Sequence, residues 1–67
     1  MTYEKGDLLF GYKLDRGIIL LVTKDSTKED GVTECLFLEN PQSPVTVGTS
    51  HHFINTILRD YYHKVEA

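Results

Sequence analysis

The chain has 67 residues, a net charge of -3, 40% hydrophobic and 25% charged residues, and one cysteine. That length leaves room for a single small domain over residues 1–67, with a thin core and little stability to spare. The composition excludes a disordered tail, and the lone Cys35 excludes an intramolecular disulfide. Seven Lys and Arg scattered among ten acids disfavour a nucleic-acid footprint, which needs a basic stripe to displace phosphate counterions.

Residues 1–5 lead into a strand pattern without the apolar stretch of a secretory signal. The longest apolar run, Ile18 to Val22, is far too short to span a bilayer.

The first strand is expected over Gly6–Lys13. Leu8, Phe10 and Tyr12 alternate onto one face, and Asp7, Leu9, Gly11 and Lys13 onto the other. Leu14-Asp15-Arg16-Gly17 reads as a turn in which glycine supplies positive φ. Ile18 to Thr23 is apolar on both faces and rich in β-branched residues, which places it at the sheet centre. Residues 25–31 form a polar hairpin loop closing on Gly31. Val32–Glu39 is the third strand, with Cys35 and Phe37 on one face and Val32, Leu36 and Leu38 on the other. Asn40-Pro41-Gln42-Ser43-Pro44 ends it, because proline cannot donate to a ladder. Val45-Thr46-Val47 is expected as a short fourth strand ending at Gly48.

The C-terminal segment changes period. Phe53, Ile54, Ile57, Leu58 and Tyr61 fall at helical spacing, with Val65 on the same stripe, and Thr49 or Ser50 can cap the start. Lys64 would then sit near the negative end of the dipole. A rival parse stops the helix near Asp60 and makes Tyr61 to Val65 a last strand, on the β-propensity of Tyr61, Tyr62 and Val65. The fold class is therefore mainly β: a small barrel or curled antiparallel sheet of four to five strands with a C-terminal amphipathic helix.

Gly6-Asp7-Leu8-Leu9, Gly17 to Val22, Val32 to Leu38 and the closing Tyr62 to Glu66 together resemble the SH3-like small β-barrels, including KOW-type and phage-encoded versions. The resemblance implies that fold and a habit of binding proteins or nucleic acids. The absence of a signal pattern, the short apolar run and the single thiol lead to the expectation of a cytoplasmic protein, or a virion-associated one if phage-encoded. It carries over no functional residue. The loop after the first strand is short, there is no tryptophan to floor a polyproline groove, and the segment from Gly48 to Tyr61 is long and amphipathic for such barrels.

No catalytic or cofactor motif stands out, so no enzyme and no cofactor are expected. His51-His52, with His63 and Cys35, is the nearest approach to a metal cluster. Adjacent helical histidines point about 100° apart, and no ligand spacing typical of zinc is present, so solvated histidines are the expectation. Cys35 lies between apolar neighbours and reads as core, not nucleophile. The carboxylates Glu29, Asp30 and Glu39 lie in or beside turns, where charge is solvated.

The aromatics carry the remaining signal. Tyr61 and Tyr62 are adjacent, so an element cannot bury both equally, and an outward Tyr62 would be an interface anchor. The competing reading is that each tyrosine covers the core. The expectation is a non-enzymatic protein-interaction module that binds a protein partner or self-associates, using Tyr12, Arg59, Tyr62 and His63. The alternative is a nucleic-acid-binding barrel with stacked tyrosines and a patch of Lys13, Arg16, Lys24 and Lys28.

Overall fold

A computed structural model describes residues 3–28 and 31–65. Glu29, Asp30 and Glu66, named above, lie outside the described residues. Five strands form one antiparallel sheet: β1 (Leu8–Gly11), β2 (Ile19–Val22), β3 (Val32–Glu39), β4 (Ser50–Ile54) and β5 (Tyr62–Val65). Their spatial order is β4-β3-β2-β1-β5, so the last strand returns to pair with the first. One helix, α1 (Asn55–Tyr61), joins β4 to β5. The sheet curls over its core but does not close, because β4 and β5 are its two edges.

β2 takes the central place expected from its two apolar faces. β3 runs over the expected residues, bounded by Gly31 and Asn40. A bulge opposite Ile19 and Leu20 leaves Leu38 without a cross-strand partner. Leu9, Leu20, Val22, Cys35 and Leu58 are fully or almost fully buried, with Tyr3, Ile18, Phe37 and Tyr62 around them. α1 packs on β4 and β5 and drives Leu58 into this core, so it plugs the open side of the sheet.

Three expectations need correction. Val45-Thr46-Val47 is not a strand: Pro44–Thr46 is a 3-10 turn. The buried Asn40 winds it, its Oδ1 accepting from the Gln42 and Ser43 N–H groups and its Nδ2 donating to Thr46 Oγ1 at 2.9 Å. Second, the fourth strand comes later, and it takes in His51, His52 and Phe53, which helical periodicity had assigned to a helix. Third, the C-terminus follows the rival parse, so Lys64 lies in β5 and not at a helix end. The N-terminus of α1 has no side-chain cap from Thr49 or Ser50; the Asn55 N–H bonds instead to the Gly31 carbonyl at 2.9 Å. Of the two faces of β1, the Leu9 face is the buried one: Leu9 is 0% exposed, whereas Phe10 is 42% exposed.

The turn after β1 is compact. Lys13–Asp15 form a 3-10 turn, and Gly17 closes it at φ +87, where a Cβ would also press to 2.8 Å from Pro41 Cγ. Gly11 is equally constrained, since a Cβ there would meet the Asp15 carbonyl oxygen at 2.0 Å.

The β2–β3 loop is tied to the core by polar contacts. Thr33 Oγ1 donates to Asn55 Oδ1, and Asn55 Nδ2 donates to Ser26 Oγ at 2.9 Å and to the Lys28 carbonyl at 2.7 Å. Ser26, Thr33 and Asn55 are all buried, so Ser26 departs from the expected solvated loop.

Candidate interaction surface

Strand register decides which side chains meet on the outer face. Val65 pairs with Leu8, Leu8 with Leu21, and Leu21 with Leu36. These four make one apolar row across β5, β1, β2 and β3, and none of them is fully buried. The next outer row pairs His63 with Phe10 and Phe10 with Ile19. The inner rows between them, such as Lys64–Leu9–Leu20–Phe37, line the core side.

Tyr12 continues the alternation of β1 onto the outer face. Its ring stacks on His63, with centroids 4.1 Å apart and planes 13° apart. The Tyr12 N–H bonds to the Tyr61 carbonyl at 2.9 Å, which fixes the end of β1 to the end of α1. Lys13 follows with φ +58, a left-handed conformation that costs a non-glycine residue about 1–2 kcal/mol. That backbone brings Lys13 Nζ to 5.4 Å from the Tyr12 ring centroid.

Of the four residues expected at a partner surface, Tyr12 and His63 are thus brought together. Arg59 is not joined to them by any described contact. It pairs with its neighbour Asp60 at 3.5 Å, and both side chains are largely exposed. Tyr62, expected to face outward, is only 5% exposed and belongs to the core. Its ring meets Phe53 edge-on at 6.4 Å, and Phe53 meets Phe37 at 5.6 Å. Burial, reinforced by the nearby Asp15 carboxylate, pushes the Tyr62 phenol well above its ordinary pKa. Among the described residues its buried hydroxyl completes no well-formed hydrogen bond, and Asp15 is the acceptor near it.

The four-residue basic patch is split. Lys13 and Arg16 lie in the turn before β2, whereas Lys24 and Lys28 follow its far end. Lys24 pairs with Glu34 at 4.0 Å. Glu34 also accepts from Thr23 Oγ1 at 2.7 Å and lies 3.8 Å from His52 Nε2. The Thr23 bond is the main cause that holds the Glu34 carboxyl below its usual range, followed by Lys24 and His52.

His51 and His52 sit in a strand and so point to opposite faces. His51 packs edge-on to Phe37 at 5.2 Å, and His52 turns to Glu34. Among the described residues no group of three or more His, Cys, Asp or Glu is placed to hold a metal ion. Cys35 is buried, and that burial, with Glu34 nearby, pushes its thiol up to about 12, which suits a core residue and not a nucleophile. No helix among the described residues is long and apolar enough to cross a membrane.

The outer rows also hold Leu8, Phe10, Ile19, Leu21, Leu36 and Val65, none of them among the residues expected at a partner surface. The available signal was that β1, β2 and β3 each carry apolar residues on both faces. One short helix cannot cover both sides of such a sheet. No protein-family model, no curated protein and no solved structure matches this chain.

Proposed function

We propose that this chain is a non-enzymatic protein-interaction module that docks a protein partner on the outer face of β1 and β5. One observation carries the reading: the apolar row Val65–Leu8–Leu21–Leu36 continues into Phe10 and the Tyr12–His63 stack on the face opposite the core. A rigid aromatic pair beside half-exposed aliphatic side chains is the usual composition of an interface centre. Kinship with SH3-like small barrels, phage-encoded versions included, and a cytoplasmic or virion location belong to the same reading. The kinship rests on the sequence resemblance, and the location on the short apolar run and the single thiol.

The test is capture from source-cell extract on the immobilised chain, followed by affinity measurement with the captured protein. Phe10→Ser and Tyr12→Ala should each weaken that affinity about tenfold or more, since truncating an interface anchor costs about 1–3 kcal/mol. Their far-UV circular dichroism should match the wild type. Unchanged affinity in both variants would reject this face as the docking surface.

A second reading has its own observation. Lys13 Nζ over the Tyr12 ring, beside the stacked His63, is an arrangement on which a nucleic-acid base could stack. A labelled single-stranded oligonucleotide at about 50 mM salt tests it, because phosphate contacts are strongest there. Binding that falls steeply with added salt supports it, and no shift removes it.

A further inference from the structure

The curled sheet has two edges, and they are treated differently. β5 carries Lys64, which stands opposite Leu9, pairs with Asp7 at 3.3 Å and lies 5.7 Å from the Tyr3 ring centroid. An inward-pointing charge on an edge strand is a standard guard against a further strand. β4 has no such guard. Ser50-His51-His52-Phe53-Ile54 contains no proline, lysine or arginine, and its register with β3 runs unshifted from Val32↔Ile54 to Leu36↔Ser50. Four of its five residues are exposed.

The hydrogen-bond pattern fixes which main-chain groups face out. The Phe37 N–H bonds to the Thr49 carbonyl at 3.0 Å, and the Asn55 N–H to the Gly31 carbonyl at 2.9 Å. In an antiparallel pair the bonded positions alternate, so His51 and Phe53 also point their main-chain groups at β3. Ser50 and His52 therefore turn both of theirs outward, and Ile54 turns its N–H outward, its carbonyl being taken by the first turn of α1.

We infer that a second copy of this chain pairs at this edge, β4 against β4, antiparallel about a twofold axis at His52. A twofold contact sets residue i against j and j against i, which an antiparallel strand pair satisfies with itself. Ser50 then faces Ile54 of the second copy and His52 faces its own equivalent, so the His52 N–H groups meet each other's carbonyls and each Ile54 N–H meets a Ser50 carbonyl. On the inner face His51 lies across from Phe53 of the second copy, an aromatic cross-strand pair. On the outer face each His52 brings its own Glu34 at 3.8 Å, so the two imidazoles meet with a carboxylate beside each. The two sheets become one continuous sheet, with both docking faces left open. The inference rests on the β4 edge and not on the β1–β5 face.

The test is sedimentation equilibrium from about 10 μM to about 1 mM, a range that brackets a weak strand-mediated dimer. The mass should rise from 7.7 kDa toward twice that value. His52→Pro removes an N–H that the β3 ladder does not use, and Ile54→Lys adds an edge charge. Each should raise the dissociation constant at least tenfold with the melting temperature of the dilute protein retained; Ile54→Lys keeps the test intact should proline disturb folding. Amide exchange at His52 and Ile54 should slow as concentration rises. A monomer throughout the range overturns the inference, as does a dimer that Ile54→Lys leaves unchanged. A dimer dissolved by Phe10→Ser instead would also overturn it and assign self-association to the docking face.

Discussion

Tyr62 offers a clean test of the core because its ring and its hydroxyl pull in opposite directions. The ring is buried against Phe53, and the residue is 5% exposed. The hydroxyl is buried as well and, among the described residues, completes no well-formed hydrogen bond, although the Asp15 carboxylate lies close enough to act on it. A buried unsatisfied polar group costs about 1–3 kcal/mol. Tyr62→Phe removes that group and keeps the ring, so it should stabilise the fold by about 1 kcal/mol. In a domain of this size that corresponds to a rise in melting temperature of about 4–8 °C. Tyr62→Ala removes the ring too and should cost about 3–5 kcal/mol. Total stability for such a chain is only about 3–10 kcal/mol, so the alanine variant should be largely unfolded near 37 °C. Thermal melts followed by circular dichroism give both numbers. A fall of more than about 5 °C in Tyr62→Phe would refute the reasoning, since that loss means the hydroxyl makes a net favourable bond. Asp15 would then be its acceptor, and Asp15→Asn should reproduce part of the loss.

Asn55→Ala should be among the most damaging single changes, costing about 2–4 kcal/mol, because it strands the buried Thr33 hydroxyl and removes the donor to Ser26 Oγ and the Lys28 carbonyl, while Ser26 keeps its bond to the Val32 carbonyl; urea unfolding measures it, and a loss under about 1 kcal/mol would show that the network contributes little. Stability should fall in alkali. The Cys35 thiol has its pKa raised to about 12 from an ordinary value of 9.0, so the folded state keeps a proton that the unfolded state releases. Stability from this group is complete below about pH 9 and is lost as pH rises toward 12, at up to about 1.4 kcal/mol per pH unit. Tyr62 and Tyr3, both raised by burial, add to the loss at higher pH. Urea midpoints from pH 8 to 10 should drop in the wild type and drop less in Cys35→Ala; parallel slopes would mean the thiol is solvated.

Local pattern was enough for β2 and β3. A run of Ile18 to Val22 that is apolar on both faces has no stable place except a sheet interior, and it is central in the fold. The alternation from Val32 to Leu38 between Gly31 and Asn40-Pro41 can only be a strand, and its two faces separate as read. The burial of Cys35 follows from the same alternation. The mainly β class with a helix near the C-terminus was likewise legible.

Other features depended on contacts distant in the chain. His51 to Ile54 is a strand because β3 is long enough to hold a second partner along its whole edge, and periodicity within the segment carries no trace of that ladder. Val45 has the propensity of a strand, but the Asn40 side chain bonds the surrounding backbone and winds it into a turn. In β1, Leu8, Leu9 and Phe10 are all apolar, so alternation alone cannot say which face is inward. The pairing of Leu9 with Leu20 over Leu58 decided it. The same packing buried Tyr62 and left Tyr12 to meet His63, residues 51 positions apart whose encounter exists only because the last strand returns to the first. Sequence determines which stretches alternate and which residues are apolar. Tertiary structure decides which of two apolar faces is hidden, because in so small a chain α1 can cover only one of them.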